Sequence, residues 1–178
     1  VSWLSFAFRL FQLPVGILSV SIGNANLVHF SNAWKANRRD EARELLKSSY
    51  LTSWMIILPA MVISILFAQE IVHLIFKRGA FDETSTLMTS KALVWYACGL
   101  PFYGIYKILV PAFYTIDRQK IPVYCSILSI AFNIVFCISL VPIYGFEVLA
   151  LGTTFSMLFN SSAQTWIMRK DLTIRIPG

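Results

Sequence analysis

The chain of 178 residues is too apolar for a water-soluble domain: 57% of its residues are hydrophobic and 13% are charged. So few charged groups cannot cover the surface that a soluble domain of this size exposes to water. A bilayer core about 30 Å thick requires roughly 20 apolar residues per helical span, and several stretches reach that length. The formal net charge of +6 arises from basic residues between these stretches, which indicates contact with lipid headgroups rather than with nucleic acid.

The first predicted span covers residues 1–30. It starts without Met, a basic leader or a signal-cleavage pattern, so we expect an internal piece of a longer chain. Arg9, Gln12 and Asn24 interrupt its apolar character. Polar groups at membrane depth need water or a partner, so this span is predicted to line a cavity rather than to face lipid.

Residues 31–49 are predicted to form a short amphipathic helix at the membrane interface. Five Lys or Arg residues alternate there with three acidic ones, while Trp34, Ala42 and Leu45 remain apolar. Such a pattern is typical of a helix that lies in the headgroup region.

Three further apolar runs predict spans at about 51–76, 121–143 and 146–168. The first of them ends at Lys77-Arg78-Gly79, where a helix is expected to stop. The turn that follows contains Asp82 and Thr84, and either residue type is suited to capping the next helix. Together with the other spans, these runs predict an all-α, polytopic bundle of about five transmembrane helices.

The remaining span, predicted at 87–115, holds several helix breakers. They predict a kinked helix, because proline removes a backbone hydrogen bond and glycine weakens the helix. We regard them as hinge candidates, with a static packing role as the alternative. The candidates are Gly99, Pro101, Gly104 and Pro111.

Basic residues predict the orientation. If residues 31–49 are cytoplasmic, alternation of the spans places 116–120 and 169–178 on the same side, and these regions carry five, two and three basic residues. The positive-inside rule therefore predicts that Val1 is periplasmic and Gly178 cytoplasmic.

Arg9 is the main candidate for substrate binding. Its guanidinium stays charged within an apolar span, and its fixed pair of donors matches the oxygens of phosphate or pyrophosphate. The alternative is that Arg9 lies near the outer end of the span and extends into the headgroups.

Three more residues are candidates for lining the substrate cavity. Lys107 can face the cavity or extend to the interface, because its stem is long and flexible. Gln12 and Asn24 can contact substrate or link helices by hydrogen bonds. The cysteines Cys98, Cys125 and Cys137 show no C-x-x-C spacing, and we expect neither a metal site nor a catalytic site.

Several short motifs, in this order, resemble the MurJ/MviN family of lipid II flippases, within the multidrug, oligosaccharidyl-lipid and polysaccharide exporter superfamily. The similarity extends over nearly the whole chain and rests on the order and spacing of the motifs together. The motifs are Arg9-Leu-Phe-Gln-Leu-Pro-Val-Gly16, Leu58-Pro-Ala60, Phe76-x-Arg78-Gly-Ala-Phe81, Tyr96-x-x-Gly99-Leu-Pro101, the run 107–114 and the run 117–122.

The resemblance implies a bacterial inner-membrane protein of fourteen helices in two lobes, of which this chain would be part of the C-terminal lobe. It implies that the protein is not an enzyme but moves an undecaprenyl-pyrophosphate-linked peptidoglycan precursor from the inner to the outer leaflet by alternating access, for cell-wall synthesis. Arg9 matches the family's cavity arginine, whereas Phe8 stands where the family usually has an acidic residue. The expected partners are the lipid-linked precursor, membrane lipids and an N-terminal lobe, without nucleic acid. We expect no cofactor and leave open coupling to the membrane potential or to a monovalent ion.

Two other functions remain as alternatives. One is a cation-coupled exporter of drugs or polysaccharide lipids from the same superfamily, which would depend on buried carboxylates that these spans scarcely offer. The other is a membrane scaffold without transport that binds a partner enzyme through the basic segment 35–47.

Overall fold

The structure is a computed structural model that describes residues 2–21, 23–76 and 82–174, without the side chains of 2, 17–26, 144 and 171–174. Helices form almost all of these ranges, which confirms the predicted all-α class. The helices are α1 (Ser2–Ser21), α2 (Gly23–Lys35), α3 (Arg39–Leu66), α4 (Ala68–Phe76), α5 (Glu83–Ala97), α6 (Leu100–Thr115), α7 (Lys120–Tyr144) and α8 (Glu147–Ile174).

Two apolar cores follow one another along the bundle. The first joins α1, α4 and α5 and includes Ile57 of α3, while the second joins α2 and α6 to Ala42 and Leu46 at the start of α3. At a rise of about 1.5 Å per residue, the two groups on α3 lie roughly 16–22 Å apart. Tight packing within each core holds the helices together, since lipid itself gives apolar side chains little reason to associate.

The predicted amphipathic helix over 31–49 is not a separate element. Residues 31–35 end α2, and Arg39 begins α3, which continues without a break to Leu66. The turn between them contains Asn37 in the left-handed region (φ 59°), which asparagine tolerates better than most residues. The helix continues past residue 49 because residues 50–58 contain neither glycine nor proline, and the Ser49 hydroxyl donates back to the Leu45 carbonyl at 2.9 Å.

Two of the described helices are long and apolar enough to cross a membrane by themselves. They are Arg39–Leu66, which contains an 18-residue window of mean hydropathy 1.8, and Lys120–Ile143, which contains one of 2.3. The pair α5 and α6 meets the same test jointly. Helix α8 is equally long, but buried polar residues such as Ser156, Asn160 and Gln164 lower its hydropathy. The number of spans, about five, therefore stays a prediction.

The span predicted at residues 87–115 is bent, as its glycines and prolines indicate. Helices α5 and α6 meet at 50° across Cys98 and Gly99. Pro101 has no N–H to donate to the preceding turn, and the amide of Gly99 bonds the Tyr96 carbonyl at 2.8 Å instead of continuing the α-helical pattern. The predicted kink is confirmed and lies at this break.

The cap predicted at Asp82 is also present. Its carboxylate accepts a hydrogen bond from the Ser85 amide at 2.8 Å, the usual role of an N-cap aspartate. Helix α5 therefore begins at Glu83, directly after this cap and four residues before the span predicted at 87–115.

Candidate functional site

One face of α1 is polar and uncovered. Ser5, Arg9, Gln12 and Gly16 are exposed, and their spacing of four, three and four residues places them on one side of a helix. A Cβ built at Gly16 would meet no atom within 4 Å, so the space beside this stripe is open. We call these four residues the α1 polar stripe.

The opposite face of α1 is packed into the first core. Leu10, Phe11 and Val15 are each at most 6% exposed, beside the fully buried Ala7. This burial fixes the rotation of the helix, because turning the stripe inward would expose the apolar face. Arg9 and Gln12 are therefore held pointing away from the described bundle.

Aromatic rings join α1 to the bent pair α5 and α6. The Phe11 ring lies 5.8 Å from that of Tyr96 and 5.4 Å from that of Tyr103, and the Phe8 ring lies 5.6 Å from Tyr96. Contacts of this geometry stabilise by about 0.5–1.5 kcal/mol beyond the burial of area. Phe8, at the position where the family motif has an acidic residue, is thus part of the packing between helices.

Lys107 is exposed on α6, and its Nζ lies 5.4 Å from the centre of the Tyr103 ring. Tyr103 in turn contacts Phe11 of α1. Lys107 is therefore connected to the stripe-bearing helix through one aromatic ring. A cation over an exposed ring gains only about 0.5–1 kcal/mol, which leaves the ammonium available to an anion.

Asn24 belongs to α2, but its side chain lies outside the described residues. Its predicted place in the cavity stays a prediction. The roles of Arg9, Gln12 and Lys107 toward substrate likewise stay predictions, with their exposure and their neighbours now defined.

The hinge candidates occupy different environments. Gly99 and Pro101 lie at the break itself, whereas Pro111 lies inside α6, which runs through it without interruption. Gly104 is buried where α6 meets α3: a Cβ there would overlap the Ile57 side chain and lie 3.0 Å from Ser53 Oγ. Gly104 therefore permits the close approach of two helices.

Sequence reasoning missed the contacts that connect α8 to α5. Glu147 accepts hydrogen bonds from Lys91 Nζ at 3.2 Å and from Trp95 Nε1 at 3.3 Å. The Lys91 pair lies near the surface, where an ion pair contributes little by itself. The signal available in the sequence was a carboxylate immediately after the Tyr144-Gly145 break, with no indication of its partner.

Polar side chains also link α7 to α8. The Ser156 hydroxyl donates to the Ser129 carbonyl at 2.9 Å, and Asn160 Nδ2 donates to Ser126 Oγ at 3.4 Å. Asn160 thus makes the bond between helices that is expected of an intramembrane amide. Gln164 bonds Asn160 within α8 at 2.6 Å and supports it from one turn away.

Known proteins with similar sequences and folds point to one family. The family model of the lipid II flippase MurJ matches residues 1–177. A probable lipid II flippase MurJ of Buchnera aphidicola is 35% identical over 130 residues, which are 73% of this chain and 25% of the relative. A protein of the same name from Helicobacter pylori is 31% identical over 159 residues, 89% of this chain and 35% of the relative.

A solved structure with a similar fold points to the same family. A lipid II flippase MurJ in an inward closed conformation superposes with a TM-score of 0.83 at 29% identity, covering 97% of this chain and 37% of that one. The chain therefore spans about a quarter to a third of the length of the curated relatives it matches. The family model matches nearly all residues of this chain, and the chain belongs to the lipid II flippase MurJ family.

Proposed function

We propose that this chain is part of the C-terminal lobe of a flippase that moves undecaprenyl-pyrophosphate-linked peptidoglycan precursor from the inner to the outer leaflet of the bacterial inner membrane. The observation that carries the proposal is the α1 polar stripe, with Arg9 at its centre. The names of the matched relatives support the substrate class.

The chemistry of the substrate explains the need for such a stripe. A pyrophosphate cannot cross hydrocarbon unaided, because the free-energy cost of removing its charges from water is far larger than any free energy gained inside the membrane. A hydrated, cationic surface that is open to one side of the membrane at a time avoids that cost while the lipid tail stays in the bilayer. Arg9 supplies the cation, and Gln12, one turn further along α1, supplies an amide donor on the same surface.

We infer that Lys107, exposed on the neighbouring helix α6, supplies a second cation to the cavity. It lies on α6, beyond the break at Gly99, so a change in the bend would move it relative to Arg9. The bend in α5 and α6 thereby couples the shape of the helix pair to the spacing of the two charges. The end of the bundle that carries residues 39–49 faces the cytoplasm in this proposal, as the distribution of basic residues favours.

The test is complementation in bacteria depleted of their own flippase, with the protein expressed from its complete gene. Arg9→Ala and Arg9→Lys are compared with wild type, and the readout is delivery of labelled precursor to the outer leaflet at equal protein level. Both variants are expected to fail, because lysine lacks the paired donors of arginine.

The matched control is Arg43→Ala, which removes another exposed arginine, at the charged end of α3. It is expected to deliver the precursor normally. Wild-type delivery by both Arg9 variants would show that Arg9 only reaches into headgroups and would overturn its assignment to the site.

A further inference from the structure

A groove of about 490 Å³ lies between α3, α6 and α8, on a part of the bundle separate from the α1 polar stripe. Its size falls within the range of pockets that bind small organic ligands. Polar side chains of α3 and α8 line it together with aromatic ones. The lining includes Tyr50, Trp54, Phe102, Thr165, Trp166 and Arg169.

The polar half of the groove is where α3 and α8 meet near the charged end of the bundle. Tyr50 Oη and Thr165 Oγ1 are 3.3 Å apart and hydrogen-bonded, and Arg169 follows Thr165 by one helical turn. Lys170 lies beside it, with Nζ 5.4 Å from the centre of the Trp166 ring. Hydroxyl groups and the Arg169 cation therefore lie at one end of the groove, and Lys170 lies beside the Trp166 ring that also lines it.

The other half of the groove is apolar. Trp54 lies one turn beyond Tyr50 along α3, away from the charged end, and Phe102 of α6 lines the same region. Trp54 and Trp166 are 42% and 65% exposed, so their rings face the surroundings of the bundle rather than its core. Tryptophan in this position is typical of the boundary between lipid tails and headgroups.

We infer that this groove binds an anionic phospholipid, with the headgroup phosphate against Arg169 and an acyl chain along Trp54 and Phe102. Arginine matches phosphate oxygens in pairs. The Thr165 hydroxyl donates to the Ser161 carbonyl at 2.7 Å and accepts from Tyr50, so Arg169 is the group that binds the phosphate. The charge at the polar end is opposite to that of the lipid. The order of charge, hydroxyl groups and apolar rings follows the order of parts in a phospholipid that stands in its own leaflet.

The groove and the α1 polar stripe share no residue, so this lipid site is distinct from the proposed substrate site. Binding is therefore measured directly, without transport. The protein expressed from its complete gene is purified in detergent, and its melting temperature is followed while dioleoylphosphatidylglycerol or the zwitterionic dioleoylphosphatidylcholine is added.

The variants are Arg169→Gln, which removes the charge, Ser162→Phe, which fills the groove from an exposed lining position, and Arg43→Gln as the control. Arg169→Gln is expected to weaken the apparent affinity for phosphatidylglycerol by about five-fold, the effect of one basic residue at an anionic surface. Ser162→Phe should abolish the stabilisation, and Arg43→Gln should leave it unchanged. Phosphatidylcholine should stabilise wild type weakly or not at all.

Equal weakening by Arg43→Gln, or equal stabilisation by phosphatidylcholine, would show non-specific attraction and overturn the inference. The inference would also be overturned if phosphatidylglycerol stabilised Ser162→Phe as much as it stabilises wild type. If Ser162→Phe instead melts lower without lipid and wild type ignores phosphatidylglycerol, another part of the polypeptide fills the groove and the lipid site is disproved. Should Ser162→Phe fail to fold, the comparison of Arg169→Gln with Arg43→Gln decides alone.

Discussion

The Thr154 hydroxyl donates a hydrogen bond to the main-chain carbonyl of Trp95, with 2.7 Å between the two oxygens. In an unbroken helix the amide of Gly99 would bond that carbonyl, but here it bonds Tyr96. Thr154 therefore satisfies a backbone group that the break between α5 and α6 leaves free. The bend is stabilised from a neighbouring helix and does not depend on glycine and proline alone.

Thr154→Val should destabilise the protein by about 0.6–1.5 kcal/mol, because valine keeps the shape of threonine but cannot donate to the Trp95 carbonyl. Thr154→Ser retains the hydroxyl and should be close to wild type. Thermal unfolding of the full-length protein in detergent measures both. Equal stability of the valine and serine variants would show that the bond contributes nothing.

Gly104→Ala should destabilise the contact between α3 and α6 by about 1–3 kcal/mol, because the new methyl group overlaps Ile57 in a filled core. Ile57→Val removes the overlapping methyl group and should cost about 0.5–1.5 kcal/mol alone. The double variant is expected to be more stable than the sum of the two losses predicts. Strict additivity in this double-mutant cycle would contradict the proposed contact.

Gly152→Ala should weaken the packing of α7 on α8. A Cβ at this position would lie 2.8 Å from Asn133 Oδ1 and 2.9 Å from Cys137 Sγ, and these two atoms are hydrogen-bonded to each other at 3.0 Å. Neither can move aside freely, so a loss of about 1–3 kcal/mol is expected. Unfolding in detergent is again the measurement.

The matched control for Gly152 is Gly16→Ala, which places the same methyl group in open space. Alanine favours a helix over glycine by about 0.5–1 kcal/mol, so this variant should be as stable as wild type or slightly more stable. A similar loss at both positions would point to a general effect of the substitution rather than to the α7–α8 contact.

The start of α5 should depend on pH through Asp82. Hydrogen bonds from the Ser85 side chain and backbone amide lower the pKa of Asp82 below its ordinary value of 3.8. A lowered pKa in the folded state means that the stabilisation is complete above pH 3.8 and is lost as pH falls through the folded value. The protection of the amides in the first turn of α5 against hydrogen exchange, relative to the intrinsic exchange rate at each pH, should therefore fall in acid.

Asp82→Asn is the control for this effect. Asparagine caps helices about as well as aspartate but carries no charge to lose, so exchange at the start of α5 should show no such acid dependence. Asp82→Ala should accelerate exchange at every pH. If the asparagine variant lost as much protection against exchange in acid as wild type, the effect would be assigned to another group.

Local chemistry was sufficient to predict the kink and the cap from the sequence. Pro101 removes a donor and Asp82 supplies an acceptor wherever the rest of the chain lies, so both predictions were confirmed. The same reasoning failed at residues 31–49, because a change from charged to apolar composition resembles a boundary. Nothing near Ser49 breaks the backbone hydrogen bonds, and α3 continues from one environment into the next.

The candidate site was only partly accessible from the sequence. The spacing of Arg9 and Gln12 indicates that they share a face, but only the burial of Phe11 and Val15 shows which way that face points. Contacts between distant segments, such as Glu147 with Lys91, depend on the register of two packed helices. A single sequence carries no signal for that register.

The bend at Gly99 gives α6 the properties of a lever. The helix has 16 residues, so it is about 24 Å long at 1.5 Å per residue. A rotation of about 10° at the break would displace its far end by about 4 Å, close to one helical turn of 5.4 Å. If the break acts as the proposed hinge, a small angular adjustment beside Thr154 would displace the far end of α6 by a distance comparable to the spacing between helical turns.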